Sequence, residues 1–153
     1  MTSDLKAMLN KKFGASIIKT GNEIPNVDFI PTRIPALDYA LGGGIARGRL
    51  TEIWGPEQGG KSVIAQLGLA SAQAIQVTKS EPRRQFYVDA EHTLDMNRAT
   101  LLGVDPSRVE IFRNDGVDSK GSPIVLSAES TINMVLDVIR SGYYDYIGID
   151  SLP

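Results

Sequence analysis

The chain has no cysteine among its 153 residues, which excludes disulfides and thiolate metal sites. It has one histidine, no stretch that is long and apolar enough to span a bilayer, and no apolar core of a signal peptide near its N-terminus. Its net charge of -2 argues against nucleic-acid binding through an overall positive charge, but it does not exclude a local basic groove. These absences, with 42% hydrophobic residues, predict one soluble cytoplasmic domain with room for a small appendage.

One glycine-rich segment, residues 55–62, fits the phosphate-binding pattern G-x-x-x-x-G-K-[ST]. Its residues are Gly55, Pro56, Glu57, Gln58, Gly59, Gly60, Lys61 and Ser62. The backbone N–H groups of such a loop surround a polyphosphate, the lysine reaches the β- and γ-phosphates, and the hydroxyl ligates Mg²⁺. The alternative is a glycine-rich turn with a solvated lysine. A strand predicted over 50–54 and a helix predicted over 63–77 favour the phosphate-binding interpretation.

Strand and helix patterns alternate along the rest of the chain. Strands are predicted over 27–32, 85–89, 109–113 and 144–150, and helices over 35–41, 95–102 and 127–140. The last helix is expected to bury Ile132, Val135, Leu136 and Ile139. Residues 114–123 are predicted to form a long loop. This alternation predicts an α/β fold with a parallel sheet and right-handed crossovers.

The N-terminal segment has a pattern of its own. Leu5, Met8, Leu9 and Phe13 recur at helical spacing over residues 4–13, residues 16–19 form a candidate short strand, and 20–26 is turn-rich. A short helix cannot stabilise itself, so its apolar stripe must dock either on its own domain or on a neighbouring subunit. We therefore divide the chain into an element at 1–24 and a core at 25–153.

Two acidic clusters follow predicted strands, and ligands bind at the carboxyl ends of strands in parallel sheets. Asp150 ends the last strand and is the candidate Walker B aspartate, which holds the Mg²⁺ hydration shell. Asp89 ends the strand at 85–89, and Glu91 follows it two positions later. Glu91 is a candidate general base for the water that attacks the γ-phosphate; the alternative is a solvated loop residue. His92 is left without a role.

These residues resemble those of the RecA-type DNA recombinases. The similarity runs from Leu5 to Leu152 and is carried by residues 13–17, 37–45, 48–57, 88–95 and 102–105. The run Asp-Ala-Glu-His at 89–92, together with Gly-Pro-Glu at 55–57, is more specific than the phosphate loop alone. The resemblance implies a P-loop NTPase with a RecA-like parallel sheet flanked by helices.

The resemblance also implies a function. Proteins of this family polymerise on single-stranded DNA with ATP and Mg²⁺ bound, and the helical filament pairs that strand with a homologous duplex. Matched to the family, Glu91 is the general base, Asp150 the Walker B aspartate and Asp95 a residue near the adenine. Residues 1–24 resemble the helix and strand that pack on the adjacent subunit.

The chain departs from the family pattern in three ways. Arg98 stands where a tyrosine often stacks on adenine, although a guanidinium plane can stack too. The 115–123 loop is longer than usual, and Ser62 replaces a threonine while keeping the hydroxyl.

The resemblance also implies that the chain is incomplete at its C-terminal side. The γ-phosphate-sensing glutamine, two DNA-binding loops and interface lysines follow Asp150 in the family. Two alternatives stay open: a non-catalytic fragment that caps filaments of the intact protein, and another RecA-fold ATPase such as a helicase or a circadian-clock ATPase.

Overall fold

The computed structural model describes residues 2–14, 16–75, 84–114, 116–117, 121–124 and 126–151. Its helices are α1 (Thr2–Phe13), α2 (Pro35–Leu41), α3 (Lys61–Ala74), α4 (Met96–Leu101) and α5 (Ala128–Ser141), with 3₁₀ turns at Gly21–Glu23 and Pro106–Arg108. Its strands are β1 (Phe29–Ile30), β2 (Ile45–Ala46), β3 (Arg84–Asp89), β4 (Val109–Phe112), β5 (Gly116–Val117), β6 (Pro123–Ile124) and β7 (Tyr144–Asp150). None of the helices within these ranges is long and apolar enough to cross a membrane.

The central sheet has the order β4-β3-β7, and all three strands are parallel. Its register places Asp89 at the end of β3 directly opposite Asp150 at the end of β7. The pairing shifts by one residue at the start of β3, because Arg84 faces Tyr144 whereas Gln85 faces Tyr146. The parallel α/β arrangement expected from the alternating patterns is confirmed.

The core joins α3, the sheet and α4, and it includes Leu69 of α3, Tyr87 of β3 and Ala99 of α4. A Cβ on Gly68 would lie 2.8 Å from the hydroxyl oxygen of Tyr146, so the glycine is what admits the tyrosine against α3. The Tyr146 hydroxyl donates a hydrogen bond to the carbonyl of Ala65 at 2.9 Å. This contact joins β7 directly to the helix that follows the phosphate-binding loop.

Helices whose ends carry strong local signals match their predicted bounds. Pro35 occupies the first turn of α2, and Gly42 ends that helix with φ 75°, a left-handed conformation that glycine adopts without strain. Asp95 and Ser127 cap α4 and α5 through side-chain oxygens that accept backbone N–H groups, as predicted. α3 begins two residues earlier than expected, and residues 76–77 of the predicted helix lie outside the described residues.

The strand predicted over 50–54 is not formed. Leu50 and Trp54 are 93% and 88% exposed, and the segment belongs to no sheet in the described part of the chain. A cavity of about 260 Å³ lies between its residues and β7. A strand needs a hydrogen-bonded neighbour, and no described strand pairs with this segment.

Three other expectations need correction. Residues 16–19 form no strand; instead Asn10 pairs through its side-chain amide with both backbone groups of Ile18. The strand predicted over 27–32 shortens to β1, which pairs antiparallel with β2. The loop predicted over 114–123 includes β5, which pairs antiparallel with β6 at the end of the loop.

The buried face predicted for α5 is also wrong in most of its residues. Val135 is buried, but Ile132, Leu136 and Ile139 are 44%, 39% and 55% exposed. Thr131 is buried instead. The buried side of α5 is therefore marked by Thr131 and Val135, next to the predicted apolar stripe.

Candidate nucleotide-binding site

The loop at 55–62 leads directly into α3. Gln58 and Gly60 have φ values of 57° and 86°, and the Gly59 N–H donates to the Pro56 carbonyl at 3.2 Å. Gly60 precedes the first residue of α3 and has no side chain with which to cap it, so the N–H groups of the first turn face outward. Backbone N–H groups at a helix N-terminus form an anion-binding site.

Lys61 folds back over this loop. Its ammonium group donates to the carbonyl oxygens of Gly55 at 3.0 Å and Pro56 at 2.8 Å. The side chain therefore lies against the loop itself, where it can exchange these neutral carbonyl acceptors for phosphate oxygens. Hydrogen bonds from an ammonium to an anion are stronger than those to a carbonyl.

The carboxyl ends of β3 and β7 meet beside the loop. The backbone N–H of Ala90 donates to the Asp150 carbonyl at 3.0 Å, which extends the pairing past the last strand residues. Lys61, Asp150 and Ser151 line the same cavity of about 260 Å³. The structure thus brings together the predicted phosphate-binding lysine and the predicted Walker B aspartate, which are 89 positions apart in the chain.

Asp89 is fully buried and serves as a structural anchor. Its carboxylate accepts hydrogen bonds from the N–H groups of Thr93 at 2.9 Å and Leu94 at 3.3 Å, and from the Arg113 guanidinium at 2.9 Å. Arg113 also donates to the Leu94 carbonyl at 2.9 Å. These bonds fix the turn that carries Glu91. No local pattern in the sequence marks Arg113 as the partner of Asp89, because the two residues are 24 positions apart.

Glu91 lies on that turn and is exposed. The Ser151 hydroxyl donates to Glu91 Oε1 at 2.5 Å and so joins the residues that follow β3 and β7. A carboxylate held beside the Walker B position can accept a proton from a water molecule. His92 follows in a left-handed conformation, with φ 56°.

Two tyrosines place their hydroxyl groups around β7. Tyr87 donates to Asp150 Oδ2 at 3.1 Å, and Tyr146 donates to the carbonyl of Ala65. Burial and then the negative charge of Asp150 hold the pKa of Tyr87 far above its usual value. Burial raises the pKa of Tyr146 to about 12. Both hydroxyls therefore stay protonated at neutral pH and act as donors.

Asp95 and Arg98, the predicted adenine neighbours, lie at the start of α4. Asp95 Oδ1 accepts the backbone N–H groups of Asn97 at 2.8 Å and Arg98 at 3.3 Å. The observed contacts of Asp95 are thus those of a helix N-cap. The side chain of Arg98 is exposed, and its contact with adenine stays a prediction.

The family model of the RecA N-terminal domain matches residues 2–153 of the chain. The chain belongs to the RecA family. It is 37% identical over 149 residues to Protein RecA of Kineococcus radiotolerans and 37% identical over 150 residues to Protein RecA of Symbiobacterium thermophilum. Each match covers 95% of this chain, and the chain spans only 38% of the length of each relative.

The same share of length holds for Protein RecA of Oceanobacillus iheyensis, which is 37% identical over 147 residues and matches 94% of this chain. The three-stranded parallel sheet with its flanking helices is accordingly part of a RecA-like fold. In this RecA-family chain, the phosphate loop and the ends of β3 and β7 form the candidate site.

The oxygen donors at this RecA-family site suit Mg²⁺. Mg²⁺ in phosphate sites is held by one or two protein oxygens together with phosphate oxygens and water. Ser62 offers a hydroxyl and Asp150 a carboxylate. Oδ2 of Asp150 accepts from Tyr87, whereas Oδ1 accepts no hydrogen bond from the residues that the structure describes. Within those residues, no cluster of three or more His, Cys, Asp or Glu could hold a metal by itself.

Proposed function

We propose that this chain is the nucleotide-binding, N-terminal part of an ATP-dependent DNA recombinase that works in the cytoplasm. The observation that carries the proposal is the assembly of Lys61, Asp150 and Ser151 around one cavity, with Glu91 bonded to Ser151. A phosphate-binding cation, a Mg²⁺-binding carboxylate and a candidate base are the parts that an ATPase of this class needs. Family membership supports the same assignment.

Each residue then has a defined task in ATP hydrolysis. The N–H groups of residues 59–62 and the ammonium of Lys61 bind the β- and γ-phosphates. Ser62 and Asp150 hold Mg²⁺, which supplies charge neutralisation on the phosphate oxygens when it is bound. Glu91 accepts a proton from the attacking water while the bond between the γ-phosphorus and the bridging oxygen breaks, leaving ADP and phosphate.

The first turn of α4 is the proposed place for the base of the nucleotide. Asp95 is held at the helix start by two backbone N–H groups, so its second carboxylate oxygen can accept the adenine amino group. The exposed guanidinium of Arg98 provides a plane that can stack on the ring. Both roles follow from the resemblance to the family.

Self-association into a helical filament is proposed for the N-terminal element, residues 1–24. Lys6 donates to Glu23 at 2.7 Å, and Asn10 pairs with Ile18, so α1 and the residues after it form one unit. The exposed apolar side chains of this unit include Leu5, Met8, Phe13, Ile17 and Ile24, each more than half exposed. An exposed apolar cluster of this kind fits a site on a neighbouring subunit. Single-stranded DNA is the proposed partner of the complete filament, as the resemblance to the family implies.

The nucleotide assignment is tested by fluorescent ATP binding to the wild-type chain, Lys61→Ala and the control Lys19→Ala, which removes an exposed lysine outside the site. Loss of charge-assisted hydrogen bonds worth about 1.5–3 kcal/mol should weaken binding by Lys61→Ala about 10- to 100-fold. Lys19→Ala should bind as the wild type does. Equal binding by all three proteins would remove the assignment.

A second candidate function is that of a filament cap, which the exposed apolar face of α1 favours. Added to a full-length RecA relative on single-stranded DNA, the chain should shorten the filaments seen by electron microscopy. A Leu5→Asp and Phe13→Asp double variant should have no effect on their length. Filaments of unchanged length with the wild-type chain would exclude capping.

A further inference from the structure

Tyr87 and Gly148 form a matched pair in the sheet beside Asp150. Tyr87 on β3 lies directly opposite Gly148 on β7. A Cβ on Gly148 would lie 2.7 Å from Cδ2 and 2.9 Å from Cε2 of the Tyr87 ring, closer than carbon atoms can approach. The ring therefore lies across β7 in the space that any larger residue at position 148 would fill.

This position of the ring brings the Tyr87 hydroxyl within hydrogen-bonding distance of Asp150. Side chains two positions apart on a strand point to the same face, so Gly148 and Asp150 share the face that the ring crosses. Tyr87 is fully buried, and a buried hydroxyl needs an acceptor. Its acceptor is Asp150 Oδ2 at 3.1 Å.

We propose that Tyr87 is a positioning residue for Asp150, an inference that rests on the proposed function. The hydroxyl holds Oδ2 and thereby leaves Oδ1 as the oxygen that Asp150 presents towards Mg²⁺ and its water. A phenylalanine would fill the same space between β3 and β7, so the hydroxyl is not required for packing. Its contribution is the orientation of a carboxylate at the edge of the cavity that Lys61 also lines.

The neighbouring tyrosine provides a matched control. Tyr146 lies on β7, and its hydroxyl donates to the carbonyl of Ala65 rather than to a carboxylate. Tyr87→Phe and Tyr146→Phe each remove one phenolic oxygen and one hydrogen bond between β7 and a neighbouring element. Only the first of these changes touches Asp150.

The test is a Mg²⁺ titration of fluorescent ATP binding to the 153-residue chain and to both variants, with thermal unfolding measured in parallel. Loss of a group that orients a metal ligand typically weakens metal affinity about 10- to 100-fold, and we expect the lower end, about tenfold, for the Mg²⁺ midpoint of Tyr87→Phe. Tyr146→Phe should keep the wild-type midpoint. Nucleotide affinity in EDTA should be the same for all three proteins. Mn²⁺ binding in the presence of ATP, measured by electron paramagnetic resonance, should likewise be weaker for Tyr87→Phe than for the wild type and Tyr146→Phe.

The outcomes separate this inference from the proposed function. Unchanged Mg²⁺ midpoints in a chain that binds ATP would overturn the role of Tyr87 and leave the nucleotide site intact. Equal shifts in both phenylalanine variants would also overturn it, since the effect would then come from general loosening of β7. A chain that binds no nucleotide would remove the proposed function and this inference together.

Discussion

Replacing Arg113 by methionine should destabilise the chain far more than the same change at Arg140. Arg113 is the only cation that bonds to Asp89 among the described residues; its side chain is 39% exposed, whereas that of Asp89 is 0% exposed. Removing one partner of a buried ion pair costs about 3–5 kcal/mol. Water can partly replace the guanidinium, and Asp89 keeps the N–H groups of Thr93 and Leu94, so we expect about 2–3 kcal/mol.

Urea denaturation followed by circular dichroism would measure this loss. With a slope of about 2 kcal/mol per M, the expected loss lowers the midpoint by about 1–1.5 M. Arg140 pairs with Asp137 at 3.4 Å, and both side chains are more than 70% exposed, so Arg140→Met should cost less than about 0.5 kcal/mol. Arg113→Lys should be intermediate, because lysine keeps the charge but cannot reach both Asp89 and the Leu94 carbonyl as the guanidinium does. Equal midpoints for the two methionine variants would refute the anchoring role of Arg113.

Two further predictions concern stability. Gly44→Ala should destabilise the chain by more than about 3 kcal/mol, because φ is 120° and a Cβ would lie 2.3 Å from the Ile30 carbonyl oxygen. Gly142→Ala, at φ 63° and with open space around the position, should destabilise it by about 1 kcal/mol. Comparable melting temperatures for the two variants would contradict this difference. Hydrogen bonds from the Thr32 hydroxyl and N–H lower the pKa of Asp38 below its ordinary 3.8, so the stability they provide is present above that pH and is lost as the pH falls through the lowered value. The midpoint of Asp38→Asn in urea should therefore fall less than that of the wild type between neutral pH and about pH 3, and parallel falls would exclude this linkage.

The parts of the fold that sequence could predict are those with local causes. Pro35 and Gly42 mark the ends of α2 because one pre-sets φ at a helix start and the other accepts a left-handed φ at its end. Asp95 could be identified as a cap because its carboxylate binds N–H groups two and three positions ahead. β7 was recognisable from its own apolar run.

The predictions that the structure contradicts concern features that depend on contacts between residues far apart in the chain. Residues 50–54 have strand-like composition, but a strand depends on a neighbour that local patterns do not describe. The apolar stripe of α5 was visible, yet periodicity cannot say which part of a stripe is covered, and Ile139 is exposed. At the candidate site, motifs were enough to propose Glu91 and Asp150. Motifs could not predict that Arg113 bonds to Asp89, 24 positions away, or that Tyr87 bonds to Asp150, 63 positions away.

The register shift at the start of β3 determines which side chains meet at the other end of the sheet. If Arg84 opposite Tyr144 were followed by regular pairing, Asp89 would face Ile149, and Tyr87 would face Ile147 instead of Gly148. The extra residue is Asp145, whose carboxylate accepts the Gln85 amide at 2.8 Å. The number of residues between Asp145 and Asp150 therefore sets the alignment of the two acidic strand ends. Inserting one residue in that interval would carry Asp150 past Asp89 and turn its carboxylate to the opposite face of the sheet.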